Sequence, residues 1–385
     1  MEVLVHKQIE VLDDIFPEWE MLIGNFYDIT VFQDFSWLKS WWDFKNKQAN
    51  ITPYIIEIKD NNNPIGIIPL HILHIKFLKF KFRILKPIGS ELSDYLVPIL
   101  SNQYPAEELL DLAFSRIYKD KLSWDCIEWG DVPEDSHFAH FINNDRLGNY
   151  ALIQRKKDHI CPYLLLDKDA EKVKIKLGKE FLKKTLYKER RLNREGKFTY
   201  SKVTKEEDIE PILNKFFELH CQRWANTNTP SEYRHKDKRE SLILTAKNLF
   251  KSNLLHLTYL TFDNEIIVVQ FGMSDRKRIY LYVHSINIQY SKYSPGSILM
   301  YNIMLEGCRE DYEILDFLRG DESYKNYWGT SEKMNQKFLF FNHSIRSLLY
   351  KDLIYLYETK QFKNVYKLKD YLKSHIGINH KVLKI

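Results

Sequence analysis

Between Tyr290 and Trp328 the sequence reads YSKYSPGSILMYNIMLEGCREDYEILDFLRGDESYKNYW, with polar residues gathered at the ends of apolar runs. Tyr293-Ser294-Pro295-Gly296-Ser297 is a short loop that follows an expected strand and opens an expected helix at Gly296–Arg309. Such a loop aims unpaired backbone N–H groups outward, and the helix dipole adds positive potential, so it suits a phosphate. Gly296 allows close backbone approach, and Ser297 adds a hydroxyl donor. The same residues also make an ordinary helix cap, and the loop alone does not decide between the two. After the helix an apolar strand, Ile314 to Leu318, runs into Arg319-Gly320-Asp321-Glu322-Ser323-Tyr324-Lys325. Ligands of open α/β sheets bind at the carboxyl ends of strands. Here one strand end presents Asp316, Arg319, Asp321, Tyr324 and Lys325. A lone buried carboxylate is costly, so Asp316 needs a partner, with Arg319 or Lys325 in reach. The group is either a binding site or a structural ion-pair network.

Two further spots carry chemistry-bearing residues. His220-Cys221-Gln222-Arg223-Trp224 closes an amphipathic helix before a polar loop. Arg223 there can hold an anion and Trp224 can stack on a planar or sugar ring, or both can belong to the packing. Tyr280, Tyr282 and His284 alternate along one strand, which reads as a row on one face, with His284 either structural or a base.

The elements that position these residues follow from periodicity. Glu2–Glu10 alternates like a strand. Phe32–Lys45 is helical, with Ser36 as a candidate cap. Tyr54–Ile58 and Ile65–Ile75 flank a polar turn and read as a hairpin, followed by a strand at Lys81–Pro87, a helix at Ala106–Lys119 and a strand at Cys126–Trp129. The second half repeats this grammar: a helix at Ile209–Arg223, a hairpin of Leu255–Phe262 and Glu265–Met273, a strand at Arg278–Ser285, a helix and a strand at Glu313–Leu318. The repetition suggests an internal duplication of one α/β unit. Lys172–Lys197 is a basic helical stretch with 11 Lys/Arg against 3 Glu, an excess of +8. It is a solvated face or an attractor of polyanions. Ile345–Tyr357 and Tyr366–Ser374 read as C-terminal helices packed on the second domain.

Composition sets the frame. With 385 residues, 44% hydrophobic and 28% charged, the chain builds real cores and exceeds one ordinary domain. The net charge is 57 − 52 = +5, too small to indicate DNA and an argument against tRNA. Cys126, Cys161, Cys221 and Cys308 are at least 35 residues apart, which gives no zinc spacing, no metal site and a reduced set of thiols. The start lacks an apolar leader, and Ile65–Ile75 is far short of a spanning segment, so a cytoplasmic protein without a transmembrane segment is expected. Oligomeric state is not readable.

Taken together, the segments FQDFSWLKSWW, IGSELSDYLVPIL, LGKEFLKKTLYKERRLNREG, LHCQRW, YSKYSPGSILM and above all LDFLRGDESYKNYW resemble GNAT-superfamily acyltransferases of the CelD/BcsL group, described as having a BioF2-like acetyltransferase domain. That group is similar in turn to Fem-type aminoacyl transferases. The resemblance implies an α/β (α+β) fold of tandem GNAT-like domains, each a mixed, largely antiparallel central sheet flanked by helices. The expected division is 1–165, a catalytic 166–345 and a helical extension 346–385. It implies acyl transfer from acetyl-CoA or another acyl-CoA to an amine or hydroxyl of a small-molecule or glycan acceptor, in polysaccharide or surface-glycan assembly. Ser294, Gly296 and Ser297 would hold the pyrophosphate, although Tyr293 and Ile298 stand where the usual Q/R-x-x-G-x-G/A loop has a basic and a small residue. Lys325 would stabilise the charged intermediate, Asp316 or Asp321 would act as base, and Tyr324 would protonate the leaving thiolate or position substrate. Arg223, Trp224 and Arg319 would bind substrate. A Fem-like transferase using aminoacyl-tRNA and a non-catalytic protein of the same fold are the alternatives.

Overall fold

Both expected hairpins close through two-residue turns in which each residue is left-handed. Asn61 and Asn62 have φ of 48° and 65°, and Asp263 and Asn264 have 48° and 68°. Asn and Asp tolerate this conformation, and such turns match the twist of paired strands. The protein is described here by a computed structural model, which covers residues 1–15, 25–47, 50–77, 80–144, 147–148 and 151–358. It divides into two compact units, Met1–His159 with Met334–Ile385, and Ile160–Lys333.

In the first unit, β1 (Glu2–His6), α1 (Phe35–Lys45), β2 (Ile51–Asp60), β3 (Asn63–Phe77), β4 (Phe80–Pro87), β5 (Ile99–Leu100), α2 (Ala106–Lys119), β6 (Cys126–Pro133) and α3 (His137–Asn143) precede the long strand β7 (Leu152–Leu165). Strands β1 to β4 pair antiparallel in order, β4 pairs β6 in parallel, and β5 adds to β3. The cap of α1 is Asp34, whose Oδ1 accepts from the Ser36 amide at 2.8 Å, so the cap lies two residues before the expected Ser36. Leu109, Leu110, Ala113, Phe114 and Ile117 of α2 pack with Trp124, Trp129, Phe138 and Phe340 in a core rich in aromatic rings.

The second unit takes the end of β7, then α4 (Ala170–Lys174), α5 (Lys179–Glu195), β8 (Phe198–Lys202), α6 (Ile209–Trp224), α7 (Lys236–Lys251), β9 (Leu255–Phe262), β10 (Glu265–Ser274), β11 (Arg278–Ile286), α8 (Pro295–Arg309) and β12 (Ile314–Asp316). Its sheet runs β7-β12-β11-β10-β9-β8, antiparallel except for the parallel β11/β12 pair. Helix α8 lays Ile298, Leu299, Ile303 and Met304 against Leu260, Val268, Ile279 and Leu281 of the sheet. Each unit is thus a mixed, largely antiparallel sheet flanked by helices.

Strand β13 (Ser331–Phe341) returns the chain and pairs antiparallel with β6, and α9 (Ile345–Glu358) follows it. This return accounts for the difference from the expected division at 165 and 345. Residues from Met334 onward join the first unit because β13 is bonded to β6. Helix α9 accordingly packs on the first unit, with the Tyr350 ring 5.1 Å from that of Phe82. The expected helix Tyr366–Ser374 lies outside the described residues. No helix among the described residues is long and apolar enough to cross a membrane.

Candidate functional site

The site grows from one irregularity in β11. Phe271 faces Val283 and Met273 faces Tyr280, so Gly272 opposes two residues, Leu281 and Tyr282. This is a β-bulge. Glycine is required opposite it, since a Cβ on Gly272 would lie 2.5 Å from the Tyr280 carbonyl oxygen. The bulge shifts the alternation: Tyr280 pairs across to Met273 and His284 to Gln270, positions on opposite faces of β10. The expected Tyr280-Tyr282-His284 row on one face is therefore broken.

On its other side β11 pairs with β12 only over Arg278–Tyr280. Strand β12 stops at Asp316 while β11 continues to Ile286. Beyond Tyr280 the β11/β12 ladder ends, and no further strand among the described residues lies on that side of β11, the geometry in which an extended guest can lie along a sheet. The edge leads through a short 3-10 turn at Ile288–Tyr293 to the start of α8. Ser294 is left-handed, with φ 51°, and its carbonyl accepts from the Ser297 and Ile298 amides at 3.0 and 3.3 Å. Pro295 has no N–H. The Gly296 amide and the Ser297 hydroxyl are thus the local donors left by the turn, fewer than a whole helix start provides. A Cβ at Gly296 would meet only Ile286 Cγ2 at an ordinary 3.7 Å, so packing does not demand glycine there. Lys188 of α5 reaches the same bend and donates to Ser294 Oγ at 2.6 Å. The Arg191 guanidinium lies over the Tyr293 ring at 5.2 Å. A cation missing from the loop sequence is present in space. Its sequence signal was the +8 stretch, which does not say where the lysines point.

The residues after β12 form a tight loop. Asp316 is buried, and its Oδ1 accepts from the Leu318 amide at 2.8 Å. Leu318 and Gly320 have φ of 57° and 120°, which turns their carbonyls inward. Lys325, also buried, donates to the Leu318, Arg319 and Gly320 carbonyls at 3.2, 3.0 and 3.2 Å and lies 2.9 Å from Glu322 Oε2. The Glu322 contact is ionic, because its angles do not make a directed hydrogen bond. The ammonium that the family resemblance would assign to a reaction intermediate is occupied by its own loop. Asp321 is exposed and Arg319 half-buried.

Three elements meet electrostatically beside this loop. His284 is held neutral, its pKa lowered to about 4 by burial and then by the positive neighbours Arg223, His220 and Lys325. Its ring lies 6.4 Å from that of Tyr324 in an edge arrangement. Burial, helped by Glu322 and opposed by Arg223, pushes the Tyr324 phenol up, so it stays protonated. Burial lowers the Arg223 pKa, with Tyr324 opposing. The Arg223 guanidinium lies 5.5 Å from the Trp224 ring centroid. Arg223, His284, Tyr324 and Lys325 therefore share one neighbourhood. The aromatic side chains Trp37, Trp41, Trp42 and Tyr95 of the first unit are buried and belong to its packing. The Trp37 indole donates to Ser93 Oγ and the Trp41 indole to the Ser90 carbonyl, both at 2.9 Å. Also in that unit, Asp131, Asp158 and His159 bring ligand-type atoms within 4.8 Å. The Asp158 carboxylate is engaged within the group, its Oδ2 accepting from the Asp131 backbone amide at 3.0 Å and its Oδ1 lying 3.2 Å from His159 Nε2.

Residues 179–326, from α5 to the loop after β12, match the family model for an acetyltransferase (GNAT) domain. That match spans most of the second unit. The whole chain is similar in fold to FemX (TM-score 0.63, 10% identity, 91% of this chain and 99% of that one). It is also similar to a conserved protein of unknown function from Bacteroides thetaiotaomicron (TM-score 0.55, 12% identity, 89% and 100%). A third solved structure is the C-terminal domain of a putative lysylphosphatidylglycerol synthetase from Agrobacterium fabrum (TM-score 0.53, 11% identity, 89% and 97%). No curated protein sequence matches the chain. The β11 edge beyond Tyr280, the α8 bend and the Tyr324 loop all fall inside that matched segment.

Proposed function

We propose that the protein is an acyltransferase that moves an acyl group from acetyl-CoA or a longer acyl-CoA to an amine or hydroxyl of a small molecule or glycan precursor, as in the CelD/BcsL-like branch of GNAT enzymes. The observation that carries the reading is the end of the β11/β12 pairing after three residue pairs, with the β11 edge running on to the α8 bend. An extended pantetheine chain can add to that edge through its amides, and the pyrophosphate reaches Gly296, Ser297 and, through Lys188 and Ser294, a cation. The tandem arrangement of two GNAT-like units belongs to the same proposal.

Reaction forms a carbonyl–nitrogen or carbonyl–oxygen bond and breaks the carbonyl–sulfur bond, leaving a thiolate that takes up a proton. The acceptor loses its proton to a base directly or through water. Asp321, exposed on the loop, and neutral His284 are the candidates to receive it. With a pKa of about 4, His284 accepts hydrogen bonds at neutral pH but is a weak final proton sink, which suits orientation or relay. Tyr324, protonated at every physiological pH, donates to the sulfur as charge develops. Arg223, Trp224 and Arg319 face the acceptor. Asp316 and Lys325 act as positioning residues that fix the loop carrying Tyr324. Much of the rate then comes from holding donor and acceptor together.

Thermal shift with CoA, acetyl-CoA, longer acyl-CoAs and aminoacylated tRNA tests the reading, followed by CoA release with candidate acceptors. Saturable stabilisation by CoA esters supports it. Stabilisation by aminoacylated tRNA alone would replace it with a Fem-like transfer, and no shift with any of them would leave a non-catalytic GNAT fold.

A further inference from the structure

The solvent face of α5 carries Lys183, Tyr187, Arg190 and Arg194, all exposed and spaced by three or four residues along one stripe, with exposed Lys184 beside it. Lys172, Lys176 and Lys179 continue it toward α4. Lys179, Lys183, Lys184, Arg190 and Arg194 have no carboxylate partner among the described residues. Asp167 and Glu171 are engaged by Lys172 at 3.3 Å and Lys174 at 2.7 Å, and Glu180 is the remaining exposed acid at the helix start.

Apolar side chains stand out of the same surface. Ile175 is 82% exposed, Tyr187 55%, Tyr327 53% and Leu165 47%. Local bonds tie Tyr327 and Leu165 to the start of α5 and the segment before it, which carries Ile175. The Gly178 amide donates to the Tyr327 carbonyl at 3.0 Å, the Tyr327 ring stacks on Phe181 at 5.7 Å, and Lys176 Nζ donates to the Leu165 carbonyl at 3.0 Å. Exposed apolar groups normally scatter; here several stand on segments that also carry exposed cations without carboxylate partners.

We propose that this face docks on an anionic phospholipid surface, the cations meeting headgroup phosphates while Ile175, Leu165 and the two tyrosines enter the headgroup–acyl boundary. The aliphatic pair favours lipid over nucleic acid. Bases offer flat rings and phosphates, against which Ile175 and Leu165 gain little, whereas the boundary region buries them.

The full chain is tested by co-sedimentation with vesicles of phosphatidylcholine alone and of equal parts phosphatidylcholine and phosphatidylglycerol. Binding to the mixed vesicles, its loss in high salt, and weak binding to neutral vesicles are expected. The triple variant Lys183→Glu, Lys184→Glu, Arg190→Glu lowers the partition coefficient by about a hundredfold or more. Ile175→Ser, with every charge intact, lowers it by roughly tenfold. All four positions are exposed, so unchanged melting curves show that the fold is kept. No binding to mixed vesicles overturns the proposal. So does vesicle binding indifferent to Ile175→Ser, or binding to an RNA duplex without binding to vesicles.

Discussion

Replacing Lys325 by Met keeps the length of the side chain and removes its ammonium. In the structure that ammonium touches three backbone carbonyls at 3.0–3.2 Å and Glu322 at 2.9 Å. Each hydrogen bond from a charged donor contributes on the order of 1.5–3 kcal/mol, and removing one member of a buried charged set costs about 3–5 kcal/mol. Two effects reduce this. Burying the ammonium is itself unfavourable, and the Glu322 side chain is 39% exposed and can return to water. The expected loss is therefore about 2–4 kcal/mol, read as a lower urea midpoint with an unchanged slope. Lys325→Arg should restore little, because a planar guanidinium cannot aim at three carbonyls converging on one point. Urea titrations of both variants, with CoA release measured well below their melting temperatures, separate structure from chemistry. An unchanged midpoint together with abolished acyl transfer would contradict the positioning role and put the ammonium on the reacting atoms.

Other positions give independent checks. Gly296→Ala meets only Ile286, at 3.7 Å, so stability should hold or rise by up to ~1 kcal/mol from helix propensity, while CoA affinity falls about tenfold or more because the methyl occupies the approach of the ligand. His284 has a depressed pKa, so the unfolded chain binds a proton first: its contribution is full above pH 6.5 and is lost as pH falls toward 4, by about 2 kcal/mol after allowance for partial exposure. His284→Gln should flatten stability across that window. Burial alone would raise the pKa of Glu306, but His256, Lys202 and Tyr200 outweigh it and bring the carboxyl to about 2. The His256 contact is long, at 3.4 Å, beside 2.8 Å for Lys202. Stability from this network is present above pH 4.5 and lost as pH falls toward 2, by up to about 3 kcal/mol, and Glu306→Gln should remove that slope in acid titrations followed by circular dichroism.

Helix α2 matches its expected bounds, and both hairpins lie where alternating runs flank short polar turns, because their signals are local. Strand β7 is not legible in the sequence, since Arg155, Lys156, Lys157, Asp158 and His159 interrupt its alternation. Helix α7 opens with the charged run Lys236-Asp237-Lys238-Arg239-Glu240, which masks its apolar face. The basic stretch proved to be two helices, parted at 175–178. Strand β13 begins polar, and its partner β6 lies far back in the chain, so neither it nor the return to the first unit could be read locally. The same holds for the site. The α8 bend and the Tyr324 loop were legible as motifs, yet the engagement of Lys325 depends on two left-handed residues that aim carbonyls at it. The closeness of Arg223, His284 and Tyr324 depends on how α6 and β11 pack, and that of Lys188 to Ser294 on how α5 meets α8.

Amide hydrogen exchange with and without acetyl-CoA tests most directly whether the open edge of β11 and the α8 bend hold the donor. Protection should concentrate on Leu281–Ile286 and on Gly296–Ile298, with the loop around Tyr324 following. Unchanged exchange in those segments at saturating acetyl-CoA, or protection confined to the first unit, would contradict the assignment.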